Sequence, residues 1–299
     1  MKYPYVKRLP KFEYLAPKTV DEALLFLSHY DGEAKAIAGG TDILLKMKRR
    51  EDVPRYLVGL KAIPGLDYVE YNDTQGLRFG PNMTIHAMEI SPVVKEKFPL
   101  LCDAASTIGS VQIRNLGTVV GNICNALPSA DMLPSLIVLG ATINVASKKG
   151  EKNSTLEDFL IAPGQTALAH DELVLEVLVP SLPSQSAGVY IKHAQREAMD
   201  LAIVSVATLI TLKEEICSEV KICLGSVGPT PIRAIRAEAI LRGKQLSPEL
   251  VKEASNTASE EVQPRSSIRS SAEYRKEMVQ ILTSRALKKA IAKLNNEVI

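Results

Sequence analysis

Eleven consecutive residues, Gln112-Ile113-Arg114-Asn115-Leu116-Gly117-Thr118-Val119-Val120-Gly121-Asn122, put glycine, threonine and asparagine where a backbone must turn tightly and face something polar. Asp131 follows the last of these glycines by ten positions. A second small-residue segment, Ala38-Gly39-Gly40-Thr41-Asp42, lies upstream. Glycine lets backbone N–H groups approach a ligand with no Cβ in the way, and successive N–H groups form an anion-binding concavity. Two such segments feeding one site point to a bound diphosphate. Neither segment is a G-x-G-x-x-G fingerprint or a G-x-x-x-x-G-K-[ST] P-loop, so both common nucleotide motifs are disfavoured.

The elements around these segments read as a mixed fold. Phe12 to Leu15 is extended, and Thr19-Val20-Asp21-Glu22 has the spacing of a capping box. Ala23, Leu24, Phe26 and Leu27 then give a helix its apolar face. Ala34 to Ala38 is a strand entering Gly39-Gly40, Thr41-Asp42 opens a second helix, and Arg55 to Leu60 is a third strand. The basic run Lys46 to Arg50 closes that second helix, favourably for its dipole. Further on, Leu77 to Gly80, Ala141 to Ala146 and Leu173 to Val179 read as strands, and Pro99 to Ile108 and Leu133 to Leu139 as helices. Pro180 to Ser186 is the best linker in the chain. Beyond it, Gly188 to Lys192, Leu201 to Leu212 and Val220 to Val227 predict a three-stranded sheet. Ser247-Pro248 is a helix start. A last helix from about Ala272 carries Tyr274, Met278, Ile281, Leu282 and Leu287 on one face.

Bulk properties narrow the functions. At 299 residues, two domains are the default. A net charge of +2 and the absence of tryptophan argue against nucleic acid and anionic membranes as partners. No apolar run approaches the ~20 residues of a membrane span, and Met1 to Arg8 lacks a signal peptide's apolar region. A cytoplasmic protein is expected. Cys102, Cys124, Cys217 and Cys223 contain no Cys-x-x-Cys pair, so buried reduced thiols are expected rather than a metal site.

Taken together, the segments resemble the FAD-binding subunit of the molybdenum hydroxylases, the xanthine dehydrogenase and carbon monoxide dehydrogenase family. The resemblance covers nearly the whole chain. It is carried by Ala38 to Asp42; by Gln112 to Asn122 with Pro128 and Asp131; by Arg196-Glu197-Ala198-Met199-Asp200; and by Pro264 to Arg275. Gly121 to Asn125, Pro229 to Arg233 and Pro264 to Ser267 are most similar to the stand-alone FAD subunit of bacterial xanthine dehydrogenases. The resemblance implies an α+β fold with a two-subdomain FAD-binding domain of the PCMH/VAO type over 1–180, its subdomains about 1–60 and 61–180. A smaller α+β domain over 187–299 follows. It implies a heterotrimer, in which a molybdopterin-binding large subunit oxidises the substrate and a small subunit with two [2Fe-2S] clusters relays electrons. FAD on this chain then passes them to an acceptor such as NAD.

The resemblance also implies roles for residues. Ile37, Ala38, Gly39, Gly40, Thr41 and Asp42 would wrap the diphosphate, with Thr118, Gly121 and Asn122 beside it and Lys35 and Ala36 also contacting the cofactor. Ile108 would stand against the flavin ring. Asp131 would accept from ribose or ribityl hydroxyls, or cap the helix after it, or both. Lys192 is either a flavin-ring contact or a solvated strand end. Arg114 reads as structural, and His86, His170 and His193 stand alone. No catalytic residue and no metal ligand is nominated, because the cofactor carries the chemistry; Asp200 is the nearest candidate for governing access of the acceptor. The family usually has Gly-Gly before Asn122, whereas this chain has Val120-Gly121. A positive φ at Val120 would cost ~1–2 kcal/mol. A self-sufficient flavoenzyme and a non-catalytic FAD-holding module are the competing readings.

Overall fold

The computed structural model describes residues 8–295. Met1 to Lys7, most of the segment read above for a signal peptide, lie outside the described residues. Among the described residues no helix is long and apolar enough to cross a membrane.

The first unit runs β1 (Glu13–Leu15), α1 (Val20–His29), β2 (Ala34–Ile37), α2 (Ile43–Arg49) and β3 (Tyr56–Gly59). Its parallel sheet has the order β1-β3-β2. Thr19 caps α1, its Oγ1 accepting from the Glu22 N–H at 3.1 Å. The returning bond departs from the capping box: the Glu22 carboxylate accepts from the N–H of Lys18, one residue early, at 2.6 Å. Ala23, Leu24 and Leu27 pack on Ala34 and Val58. Gly40, at φ +75°, makes the turn from β2 toward α2, a backbone region where other residues are strained.

The second unit begins with a hairpin the sequence reading saw only in part, β4 (Val69–Asn72) and β5 (Gly76–Phe79). Helices α3 (Ile85–Ile90), α4 (Pro92–Lys97), α5 (Pro99–Ser106), α6 (Val111–Leu116), α7 (Val119–Asn125) and α8 (Met132–Val138) follow. Then come β6 (Thr142–Ser147), β7 (Gly150–Thr155), α9 (Leu156–Phe159), β8 (Leu160–Ala162), β9 (Gln165–Thr166) and β10 (Leu173–Val179). An antiparallel sheet of order β4-β5-β10-β6-β7 backs the helices.

The stretch Gln112 to Asn122 is therefore mostly helical rather than one tight loop. Only Gly117 and Thr118 are extended between α6 and α7. Ser110 and Thr118 cap the two helices, accepting from Ile113 N–H at 3.4 Å and Gly121 N–H at 2.9 Å. Burial of Val119, Val120 and Ile123 overrides the poor helix propensity of Val-Val-Gly-Asn. Val120 lies in the first turn of α7 and does not have a positive φ, so the substitution for glycine carries no backbone strain.

The third unit has β11 (Ser186–His193), β12 (Val204–Lys213), β13 (Ile216–Gly225), β14 (Ile232–Arg233), α10 (Ile235–Leu241), α11 (Pro248–Glu260) and α12 (Ala272–Leu294). The two-residue β14 extends the expected three-stranded sheet to four antiparallel strands. Alternation along β12 decides the packing. Val204, Val206 and Ile210 face a core shared with Val251, Val279 and Leu287, whereas Ala207 and Leu209 join the core of the second unit with Phe98 and Leu133. A sheet buried on both faces reads as a continuous apolar run, as Leu201 to Leu212 does.

Two buried charged groups stand out in this unit. On α12 the inward position expected for Tyr274 belongs instead to Arg275; Tyr274 is 41% exposed. Arg275 donates to the Ile203 carbonyl, to the Ser226 carbonyl at 3.1 Å and to Ser267 Oγ at 3.0 Å. Glu238 on α10 is 1% exposed. Its Oε1 accepts from the Ile222 N–H at 2.8 Å and from Arg233 Nε at 2.7 Å, and its Oε2 from Arg233 Nη2 at 2.8 Å.

Candidate cofactor-binding site

Where the three units meet they enclose a cavity of about 940 Å³, toward the upper end of the roughly 300–1,000 Å³ of small-molecule sites. Every residue named above for the cofactor lines it except Lys192. One wall is the β2–α2 turn. The facing wall is the start of α7 with the Ile108-Gly109 turn, and Arg196, Met199, Asp200, Leu201 and Arg269 stand at a third side.

The two glycine turns touch. A Cβ on Gly39 would stand 2.1 Å from the Leu116 carbonyl oxygen and 2.8 Å from Gly117 Cα, so only glycine lets them close together. Among the described residues none accepts from the N–H of Gly39, Gly40, Thr41 or Asp42. Four successive unengaged donors thus belong to residues that line the cavity, an arrangement that suits an anion. Asp42 has its carboxyl raised by the cavity walls, which strip its water; Lys46 and Asn125 oppose that shift. The Thr118 hydroxyl oxygen is engaged as the cap of α7. Asn122 Oδ1 accepts from the Met132 N–H at 3.4 Å, so the capping read for Asp131 falls to Asn122.

Asp131 and Lys192 form a buried pair instead of separate contacts. Lys192 Nζ donates to Asp131 Oδ2 and to the Thr107 carbonyl, each at 2.9 Å, and the Tyr190 hydroxyl donates to Asp131 Oδ1 at 2.8 Å. Both charged side chains are 7% exposed. Lys192 is therefore neither a solvated strand end nor part of the lining; it lies behind Asp131. Burial pushes the Asp131 carboxyl above the usual carboxylate range, and the Lys192 ammonium and Tyr190 hydroxyl work against that. Lys35 is ion-paired with Asp52.

Arg114 is structural, as read. It donates to both Glu89 oxygens, at 2.8 and 3.2 Å, and to the Ile108 carbonyl at 3.0 Å, fixing the turn that carries Ile108 to the cavity. Asp200 shapes its own loop: its carboxylate accepts from the Arg196 N–H at 3.0 Å and the Leu201 N–H at 2.9 Å. Burial works against ionisation there, yet these N–H groups hold the Asp200 carboxyl below its ordinary value. The three histidines each have a partner: His86 with Glu89, His170 with Asp31, and His193 with Tyr274. Burial pushes the Cys124 thiol, which lines the cavity, up to about 12, so it is a neutral wall group at pH 7.

Sequence reasoning missed the wall made by Gly164 to Ala169, with His170 and Glu172, and the lining residues Lys46 and Asn125. The β8–β9 hairpin is too short to show a period, and Lys46 had been read only as part of a helix-closing basic run.

The fold and cavity define a dinucleotide-binding flavoprotein domain with an appended α+β domain. Residues 10–182 match the family "FAD binding domain in molybdopterin dehydrogenase", and residues 189–290 match "CO dehydrogenase flavoprotein C-terminal domain". The chain belongs to the FAD-binding medium subunits of the molybdenum hydroxylase family, and is thus an oxidoreductase subunit with FAD as its cofactor. It is 36% identical over 279 residues to the glyceraldehyde dehydrogenase medium chain of Sulfolobus acidocaldarius, covering 93% of this chain and 98% of that one. It is 31% identical over 280 residues to the xanthine dehydrogenase FAD-binding subunit of Escherichia coli O157:H7, covering 93% and 96%. A solved structure of carbon monoxide dehydrogenase from Hydrogenophaga pseudoflava, lacking the Mo-pyranopterin moiety of the molybdenum cofactor, superposes with a TM-score of 0.92 at 30% identity, covering 95% of this chain and 99% of that one.

The residues present fit FAD: four residues with unengaged N–H groups line a cavity of dinucleotide scale. Replacing Val120 by Gly is expected to leave FAD stoichiometry unchanged, because no strain is relieved. It should lower stability by roughly 2–3 kcal/mol, from helical glycine and lost valine burial. Flavin content and a urea midpoint check both halves; a rise in flavin content would contradict the helical assignment.

Proposed function

We propose that this chain holds FAD as the electron-transfer step between the [2Fe-2S] clusters of a small subunit and an acceptor such as NAD. The complex is a cytoplasmic heterotrimer whose large subunit carries molybdopterin and oxidises the substrate. FAD supplies the chemistry that turns single electrons into hydride. The chain supplies the cradle: Lys35 to Asp42, Thr118, Gly121 and Asn122 around the diphosphate, Ile108 against the ring, and Asp131 held by Lys192. The linker at 180–186 divides the FAD-binding domain from the C-terminal domain in this reading.

One observation carries the relay reading over a self-sufficient flavoenzyme. The carboxylates lining the cavity have partners within the protein: Asp131 with Lys192, Asp52 with Lys35, Asp200 with its own loop, Glu172 with Lys152 at 2.6 Å, and Asp42 with the Asn125 amide at 2.9 Å. Such pairs hold a cofactor's surroundings rigid; none is a free acid or base aimed at a second substrate. A xanthine dehydrogenase-type complex is the first reading, on the motifs at Gly121, Pro229 and Pro264. The names of the relatives divide among glyceraldehyde, xanthine and carbon monoxide at similar identity. That division fits a substrate pocket on another chain, and makes an aldehyde, carbon monoxide or N-heterocycle dehydrogenase the alternative.

The test is to purify the full chain alone and together with the products of its neighbouring genes. The chain alone is expected to show an oxidised-flavin spectrum, to release FAD and to turn over no substrate. With its partners it should couple substrate oxidation to acceptor reduction. Substrate turnover by the chain alone, or acceptor reduction by the partners without it, would overturn the proposal.

A further inference from the structure

The geometry points to Lys46 as the cation that faces the FAD diphosphate, with Asn125 and Asp42 as the residues that aim it; the inference rests on the FAD reading above. Lys46 lies on α2 and lines the cavity, half-buried. Its Nζ donates to Oδ1 of Asn125 at 2.7 Å. Asn125 in turn donates from Nδ2 to Oδ1 of Asp42 at 2.9 Å. The bridge therefore spans the two walls that carry the glycine turns. Asp42 closes the run of free N–H groups, and Asn125 lies one turn beyond Gly121 and Asn122 on α7.

What distinguishes Lys46 is the chemistry of its partner. Two other cations of the lining, Lys35 and Arg196, are paired with carboxylates, Asp52 and Asp200, and Arg269 stands on the C-terminal side of the cavity. Lys46 is held by a neutral amide. An amide fixes the direction of the ammonium without cancelling its charge. An ammonium has three donors, and one is used here, which leaves two for an incoming anion. A diphosphate beside Asp42 would meet like charge. Lys46 already opposes the rise of the Asp42 carboxyl, and supplies the counter-charge that lets both anions share the site. Hydrogen bonds to charged groups are the strong ones.

A simple latch between α2 and α7 would use the same hydrogen bonds, so the test separates charge from latch. Lys46→Gln keeps a donor for Asn125 and removes the charge. Lys46→Arg keeps the charge. Asn125→Asp gives Lys46 a carboxylate partner that offsets its free charge, and removes the N–H that Asn125 donates to Asp42. FAD is titrated into the apo form of each full chain, and the thermal midpoint of each apo form is recorded. Lys46→Gln and Asn125→Asp are expected to weaken FAD binding about tenfold or more, with Lys46→Arg within about threefold of the parent. FAD binding by Lys46→Gln at the parental affinity overturns the inference while leaving the FAD reading intact. If Lys46→Gln does not fold, Lys46→Met takes its place, and FAD binding at the parental affinity there overturns the inference as well. A parent chain that takes up no FAD sinks both this inference and the reading beneath it.

Discussion

Gly39→Ala is expected to give a chain without flavin. The added methyl would sit 2.1 Å from the Leu116 carbonyl oxygen and 2.8 Å from Gly117 Cα, and both obstacles are backbone. A flexible side chain could swing away; two helix-anchored turns cannot. The φ of Gly39 is not positive, so packing alone demands glycine here. Forcing the turns apart costs about 1–3 kcal/mol by the usual scale of overpacking, and it separates the N–H groups at Gly39 to Asp42 from the start of α7. Flavin per chain should fall to near zero, with a lower urea midpoint. Full flavin content at an unchanged midpoint would show that the two turns do not touch as described.

The second large effect is expected in the C-terminal unit, far from the cavity. Glu238→Ala leaves the Arg233 guanidinium and the Ile222 N–H without their principal acceptor. Removing one member of a buried pair typically costs about 3–5 kcal/mol, because the remaining charge stays buried. Arg233 keeps only the more distant Glu157, 3.6 Å away. Chemical denaturation should show the full loss, while folded protein retains FAD in proportion. A double variant with Arg233→Met should recover part of the stability, since no unpaired charge is then left inside. Equal loss in single and double variants would argue that Glu238 acts through packing and the Ile222 bond alone.

Much of this architecture is legible in the residues, for identifiable reasons. Thr19 and Ser247 announce their helices because a hydroxyl N-cap is a local interaction, complete within four residues. Gly39-Gly40 announces a turn for the same local reason. What stayed hidden depends on distant contacts. The helical start of Val119 to Asn125 is imposed by burial, against propensity. Lys192 finds Asp131 across 61 positions, and Lys46 finds Asn125 across 79; no spacing rule covers either. Tyr274 and Arg275 exchange their expected places because the Ile203 and Ser226 carbonyls reward a guanidinium inside. The candidate site was thus readable as two turns, but not as a network.

The central sheet of the C-terminal unit has a consequence for how the molecule melts. Tyr190, Ala207, Leu209 and Cys223 serve one core, while Val189, Val206, Ile222 and Leu224 on the same strands serve the other. Losing either core strips one face of the sheet and exposes a wide apolar surface, so an intermediate with one core intact and the other open is costly. The peptide link between the halves then adds little to their cohesion. Two cores laminated to one board denature as a single cooperative block, and the walls of the flavin cleft that they carry are lost in that same event.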